Sequence, residues 1–347
     1  MNTIQEKAII VLSSLLSNKF SPEKIKEILT SGISYRYKPR KKKDGSIRDC
    51  YAPAEDLKAL QQSILSEILH NIPVHKNLCG FVPGVAMKNG VEAHLRETRE
   101  KKIVGRWIVK VDIKNCFPSV KIKVLKNMFE DIFTGTLYAY GVDNPAVFFE
   151  FCDILIKLTT HKGGLIQGAP TSPYLTNLVI SWAGIVDDLE HYCNTRHGYD
   201  LIFSIYADDI TVSPTITNKA SVKKIIHAIE KSRIFRVNPK KTTQNDNRHR
   251  SHRITGMSIH QEFDQFGPSE AWTTLSRKKQ KFYRGRIQKV IQFLQQGCEP
   301  SIKEHGVSIN QARGYITWTR HVCGERIPSC LKKVIAVFEE LVNKQAL

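Results

Sequence analysis

Residues 201–213 read LIFSIYADDITVS, from Leu201 to Ser213. Two aspartates, Asp208 and Asp209, stand side by side between stretches rich in Ile, Phe, Val and Thr. Each flank alternates as a short half-buried strand does, so the pair is predicted at the tip of a hairpin. A turn aspartate by itself is ordinary, because its short carboxylate tolerates turn geometry and bonds nearby backbone. Adjacent carboxylates repel, however, and a dication placed between them turns that repulsion into attraction. Hard cations such as magnesium take carboxylate oxygens, and a two-metal site needs several carboxylates on one spot. The metal reading therefore requires a further acid elsewhere in the chain.

The whole chain limits the alternatives. Its 347 residues suffice for roughly two or three subdomains around a sizeable core. A hydrophobic content of 41% is that of a folded protein. The 52 Lys and Arg against 33 Asp and Glu give a net charge of +19, which favours a polyanionic partner: nucleic acid or an acidic membrane surface. Membrane is the poorer match, since no apolar run approaches the ~20 residues that span a bilayer. The N-terminal MNTIQEKAIIVLSSLLSNKF carries Glu6 and lacks a small-residue cleavage pattern, so it reads as an amphipathic helix and not an export signal. Eight cysteines are scattered without a Cys-x-x-Cys pair, which argues against structural zinc and for reduced thiols in a cytoplasmic protein.

Along the chain, SPEKIKEILT is predicted as a helix capped by Ser21, with Pro22 its first residue. YRYKPRKKKDGSIRDCYAPA reads as a basic hairpin turning at Asp44-Gly45 and presenting Lys41, Lys42, Lys43 and Arg48. EDLKALQQSILSEILHNI is an amphipathic helix with Leu57, Leu60, Ile64 and Ile68 at helical spacing. RWIVKVDIKNCFPSV is a strand ending at Asp112, with a turn at Pro118. A helix, a Gly-rich loop from Gly163 to Pro173 and a second helix lead to the hairpin; NKASVKKIIHAIEKSRIF is a further helix. VNPKKTTQNDNRHRSHRITGMSI is a polar, basic loop running into a short strand, and from about Pro268 the chain is helical and basic. No internal repeat or Gly/Ser linker divides it.

Asp112 supplies the missing acid. If its strand pairs with the 201–213 hairpin, Asp112 and Asp208 are expected side by side on one sheet edge. The chain then holds, in order, VKVDIKNCFPS, GLIQGAPTSPYLTNL, YADDITVS and VNPKKT. That ordered set resembles the reverse transcriptases over roughly residues 31–260. The chain's size and RITGMSI resemble the bacterial retron enzymes within that family. Retron enzymes usually carry Val-Thr-Gly where this chain has Ile254-Thr255-Gly256, and Asn-Ala-x-x-His where KNGVEAHLR keeps His94 but has Gly90 and Val91.

The resemblance implies an α+β right-hand polymerase with fingers, an antiparallel-sheet palm and a helical thumb. Its expected parts are an N-terminal helical extension over 1–30, fingers and palm over 31–260, and a basic RNA-binding thumb over 261–347. Nucleotidyl transfer needs two metals, one to activate the 3′-hydroxyl and one to hold the triphosphate and leaving group. Asp112 and Asp208 are the expected ligands of two magnesium ions, with manganese an alternative. Asp209 serves as a support or weak ligand, and the main chain of Ile113 is counted with them. By the same resemblance Phe117 crowds the sugar 2′ position, Gln167 and Gly168 form a nucleotide-contacting loop, and Lys241 stands near the leaving pyrophosphate. Arg48 grips the triphosphate or the template backbone.

The helix LSRKKQKFYRGRIQKVIQFLQQ is predicted to bury Leu275, Phe282, Ile287, Val290, Ile291 and Leu294. It would turn Arg277, Lys278, Lys281, Arg284 and Lys289 to RNA, with Tyr315 and Trp318 placed either in the core or against bases. The implied partners are a dedicated structured non-coding RNA, its DNA product, deoxynucleoside triphosphates and a separate effector protein in phage defence; no membrane is expected. The competing readings are an abortive-infection or group II intron-like reverse transcriptase, a non-catalytic RNA-binding scaffold, and a two-metal nuclease. The intact acids speak against the scaffold, and QGAPTSP has no natural role in the nuclease.

Overall fold

The computed structural model describes residues 3–42, 45–97, 102–139, 141–194, 201–214, 220–246, 251–265 and 267–345. Within these the fold is α+β, with helices and small antiparallel sheets. The chain divides into two compact units, each assembled from three separate stretches: 1–86, 109–212 and 221–244 form the first; 87–108, 213–220 and 245–347 form the second.

The first unit is organised by strand Trp107–Asp112. It is the second strand of a four-stranded sheet ordered Thr243–Asp246, Trp107–Asp112, Asp209–Pro214, Leu201–Tyr206. The central strand and its hairpin partner are antiparallel, with Val109 opposite Val212, Val111 opposite Ile210, and Asp112 opposite Asp209. Val109, Val111, Ile210 and Val212 are all buried, because helices cover the sheet. Side chains on a strand alternate, so a one-residue slip would move this whole apolar set to the wrong face; burial therefore pins the register.

Helix Pro145–Thr159 and helix Ile122–Ala139 meet through Phe129, Phe133 and Phe151, with successive ring centroids 5.6 and 5.5 Å apart. The amphipathic N-terminal segment forms helix Thr3–Leu15 and packs on Pro145–Thr159, burying Ala8, Ile9 and Leu12. Ser21 caps helix Pro22–Thr30 through the Lys24 N–H, as predicted. The expected helix over 55–72 is α-helical only from Glu55 to Ser63. It continues as a π-helix over Ile64–Ile68 and a 3-10 turn over Leu69–Asn71. Ile64, Ile68 and Leu69 are all buried across this change of period.

The second unit packs a three-stranded antiparallel sheet, His252–Ile254, Met257–Asp264 and Gly267–Thr274, against helices Arg277–Gln295, Ile309–Cys323 and Ser329–Gln345. Its core joins Val91, Val104 and Ile108 to Ile254, Met257, Ile259, Leu275, Ile287, Val290 and Phe338. The motif Ile254-Thr255-Gly256 is the tight turn between the first two strands: Thr255 and Gly256 both take positive φ, 44° and 84°. All eight cysteines are free, and no helix among the described residues is long and apolar enough to cross a membrane.

Candidate active site

The hairpin predicted around Asp208 forms, with Ala207 and Asp208 as its turn between Tyr206 and Asp209. Ala207 has φ +56°, the left-handed region. The tip is backed by Gly80, where an added Cβ would lie 2.9 Å from the Ala207 nitrogen. Gly80 is held in turn by Asn177, whose buried Nδ2 donates to its carbonyl at 2.6 Å. Asn77 and Cys79 bond both main-chain groups of Ile205 at 2.8 Å. Asn177 lies in YLTNL, so one of the matching stretches fixes the hairpin tip from beneath. Sequence reading gave neither Gly80 nor Asn177 a role, since a lone Gly and a lone Asn carry no periodic signal.

Asp112 is buried, at 6% exposure, and its surroundings are specific. Its main-chain carbonyl accepts from Asn238 N–H at 2.8 Å, and the Asn238 amide donates to its Oδ1 at 3.2 Å. Lys241 Nζ lies 2.7 Å from Oδ2. The stretch VNPKKT therefore wraps Asp112, and Asn238 is a partner that sequence reading did not identify. The expectation that Asp112 stands beside Asp208 needs refining. The register sets Asp112 opposite Asp209, while Asp208 offers its main-chain carbonyl to Ile113 N–H at 2.8 Å. Asp208 is half-buried and Asp209 exposed.

The acids act on one another electrostatically. Burial pushes the Asp208 carboxyl above its ordinary 3.8, the Asp112 charge adds to the rise, and Lys241 and Arg48 oppose it. Asp209 is also raised, first by partial desolvation and then by Asp208 and Asp112. Lys241 is raised by its bond to Asp112. Cys116 is pushed up by burial, with Asp208 and Asp112 contributing. The three carboxylates thus disfavour one another's charge, and Lys110, Lys241 and Arg48 oppose that effect.

The other predicted residues fall as follows. Phe117 is half-buried in the short helix Cys116–Ser119, which follows Asn115 at φ +50°, so its ring is not enclosed in the core. Arg48 is exposed on the small hairpin of Arg40–Lys41 and Ile47–Arg48, directly opposite Arg40, and its charge reaches Asp208. Lys41 and Lys42 are exposed too; Lys43 and Asp44 lie outside the described residues. Gln167 accepts from Tyr51 N–H through its main-chain carbonyl at 2.8 Å. Gly168, at φ +112°, could not carry a Cβ, because that atom would lie 2.5 Å from the Tyr51 carbonyl oxygen. The close approach this glycine permits is to the protein's own strand Tyr51–Pro53.

In the second unit, helix Arg277–Gln295 buries Ile287, Val290, Ile291 and Leu294, and the preceding Leu275 is buried as expected. Phe282 corrects the prediction: it is 49% exposed and stands against Tyr315, in a group where Tyr283 and Tyr315 stack at 4.7 Å. Five cations, Arg277, Lys278, Lys281, Arg284 and Lys289, are exposed. Two others on the helix make internal bonds: Lys279 Nζ donates to the Gly256 carbonyl at 3.1 Å, and Arg286 to the Gly306 carbonyl at 2.6 Å. Trp318 has the Lys279 ammonium 5.8 Å from its ring centroid, so it packs within the protein.

The carboxylates fit a divalent cation in chemistry and in register. They are hard oxygen donors at adjacent strand ends, and the charged forms of Asp208 and Asp209 stay disfavoured despite Lys241, Arg48 and Lys110 nearby. As they stand, the described residues hold no group of three or more His, Cys, Asp or Glu side chains set to grip an ion. The carboxylate of Asp112 is engaged by Lys241 and Asn238, so ligation would require it to change partners.

Comparison with known proteins agrees with these features. Residues 40–262, well over half of the chain, match the family of reverse transcriptases (RNA-dependent DNA polymerases). The chain is 30% identical over 230 residues to the retron Mx65 reverse transcriptase of Myxococcus xanthus, covering 63% of this chain and 49% of that protein. It is 28% identical to the retron Ec86 reverse transcriptase of Escherichia coli over 68% of this chain and 66% of that one. The match spans about half the length of the Myxococcus relatives. Among solved structures, the telomerase of Candida albicans in complex with a fragment of telomeric RNA overlays with a TM-score of 0.45 at 13% identity, covering 89% of this chain and 56% of that one. The chain belongs to the reverse transcriptase (RNA-dependent DNA polymerase) family, with the α+β fold of a right-hand polymerase, and is of the bacterial retron type.

Proposed function

We propose that this protein extends DNA on an RNA template by two-metal nucleotidyl transfer, with magnesium as the working cation and manganese an alternative. The observation that carries this reading is the register that sets Asp112 opposite Asp209, with Asp208 in the adjoining turn and its carboxyl raised by burial and by Asp112. Asp112 and Asp208 would hold the cations, supported by Asp209 and the main chain of Ile113. When bound, the ions supply activation of the 3′-hydroxyl and neutralise charge at the triphosphate and leaving group. The chain's own cations do related work. Lys241 and Arg48 both act on Asp208, so their charge is available to a triphosphate brought to that spot. Phe117, with its ring partly exposed beside Cys116, suits the role of crowding a sugar 2′ position.

The retron relatives support a finer reading. The template and primer are a dedicated structured non-coding RNA, synthesis begins from a guanosine 2′-hydroxyl, and the product is a branched RNA–DNA molecule. The residues from 261 onward act as a basic thumb that binds this RNA. A separate effector protein completes an anti-phage defence system. The deciding experiment is to purify the protein from its host and characterise the nucleic acid that accompanies it. A branched RNA–DNA chimera is expected. DNA synthesis without a branched product would point to the priming of intron-like or abortive-infection enzymes. A chain that binds RNA yet extends no supplied primer would be a scaffold.

A further inference from the structure

The sheet of the second unit has two faces of different character. Ile254, Met257, Ile259 and Ala271 are buried in the core. By the alternation of strand side chains, Arg253, His260 and Trp272 stand on the other face. That face lines a cleft of about 850 Å³, completed by Arg277 at the start of the basic helix and by Arg326.

Inside the cleft, planar groups form a row. His260 and Trp272 are cross-strand partners with ring centroids 4.6 Å apart and ring planes tilted by 50°. The Arg326 guanidinium carbon lies 4.5 Å from the Trp272 ring centroid. Arg326 is fixed there by Glu270, at 2.6 Å. Trp272 is the shared member, and both of its neighbours remain open to solvent: His260 is exposed, and the Arg326 side chain is 46% accessible.

Charge narrows the occupant. Glu270 balances Arg326, and Glu262 is the carboxylate on the lining, so Arg253 and Arg277 carry the excess positive charge. A continuous duplex backbone would set phosphates against Glu262 and leave the planar row unused. Unpaired bases use the row by stacking, and the phosphates that flank them meet Arg253 and Arg277. Guanidinium planes and aromatic rings are both stacking partners for unpaired bases. The row is already assembled, so little side-chain freedom is lost when a base joins it.

We propose that this cleft binds an unpaired segment of nucleic acid, with a base extending the Arg326–Trp272–His260 row. The proposal rests on the reading of the chain as a template-copying polymerase only for where that strand comes from: template RNA or DNA product. Its partner is unpaired strand and not duplex, and Arg277 is the one cation it shares with the exposed face of the basic helix.

The test uses the full chain and fluorescein-labelled oligonucleotides of one mixed sequence: single-stranded RNA, single-stranded DNA and a blunt RNA–DNA duplex. Binding is read by anisotropy without nucleotides. Two exposed positions are changed together, Arg326→Gln with His260→Ala, and Trp272→Leu is made separately with its melting temperature checked. Stacking one base is worth about 1–3 kcal/mol, so the double variant should lose roughly ten-fold in single-strand affinity and keep its duplex affinity. The RNA and DNA arms identify the source of the strand. Cross-linking of a 4-thiouridine RNA to Trp272 or His260 is the direct corroboration. An unchanged single-strand affinity in the double variant overturns the proposal, as does an equal loss on duplex and single strand. Primer extension on a supplied primer–template is measured in parallel. Its failure in the wild type would remove the polymerase reading while leaving the binding result to stand or fall alone.

Discussion

Asp112 is buried, with its carboxylate taken by Lys241 and Asn238 and its main chain by Asn238 again. Arg277, Lys278, Lys281, Arg284 and Lys289 are exposed on one helix whose opposite side is core. On the proposed reading, the contrast follows from what each set of charges would have to do. A catalytic acid has to sit within a fraction of an ångström of its reacting groups, so its rotamer must be fixed by a surrounding shell. A phosphate-tracking cation gains from staying hydrated and mobile until a polyanion releases its counterions. The cations Lys279 and Arg286 lie between these cases: each donates to a protein carbonyl, which fixes its position on the helix.

Breaking the acidic side of this comparison should give the largest effect. In Asp208→Asn, deoxynucleotide incorporation on a supplied primer–template should fall by roughly three orders of magnitude or more, since the metal contribution is worth several kcal/mol. Single-turnover kinetics with magnesium supplied will show it, and circular dichroism should report an intact fold. Near-normal rates would separate the hairpin acids from the chemistry.

On the basic side, Lys278, Lys281 and Arg284 replaced together by Gln keep helix propensity and remove three exposed charges. Each lost phosphate contact lowers the salt slope of binding by roughly 0.7–0.9, so the triple variant should lose about two to three units of slope, with its deficit greatest at low salt. Titrating the cognate RNA and a scrambled control across a salt series reads this. A cognate RNA that loses its advantage over the scrambled one would sharpen the picture from backbone tracking to recognition of a particular stem-loop. An unchanged slope would make these cations a solvated face.

Phe117 lies on the fixed side but is half-exposed, so its deletion should alter selection more than rate. Phe117→Ala should relax the preference for deoxynucleotides over ribonucleotides by about ten-fold, the scale of a steric pocket contact. An unchanged ratio in a stable protein would return the ring to a packing role.

The smallest effect concerns stability. Asp208 and Asp209 have folded-state values above their unfolded ones, so the folded chain holds protons more tightly there. Such groups favour folding below the unfolded value, near 3.8, and that advantage is lost as pH rises through the raised folded value. Without divalent cations, Asp208→Asn should therefore melt at or above the wild-type temperature at neutral pH, and the gain should vanish as pH falls toward 4. A lower melting temperature at neutral pH would mean that the carboxylate does structural work through contacts other than charge.

Much of this was legible in the sequence. The alternation on both sides of Asp208-Asp209 gave the hairpin, the run Val109–Asp112 gave its partner strand, and the order of the four matching stretches gave the family. Local pattern carries such features because strand periodicity and turn chemistry act over a few residues. Other features needed the folded chain. The pairing of Asp112 with Asp209 depends on a register set by buried Val109, Val111, Ile210 and Val212. Gly168 stands in the expected nucleotide-contacting loop, and its need for glycine comes from the Tyr51 carbonyl, more than a hundred residues away in sequence. Phe282 fits the apolar stripe by spacing and yet is exposed, because Tyr315 meets it at the surface. The row of Arg326, Trp272 and His260 joins three distant residues with no common motif. The sequence determines which chemistry is present and on which short element it rides; which groups meet is decided by long-range packing, because burial acts on whole faces and not on neighbours in the chain.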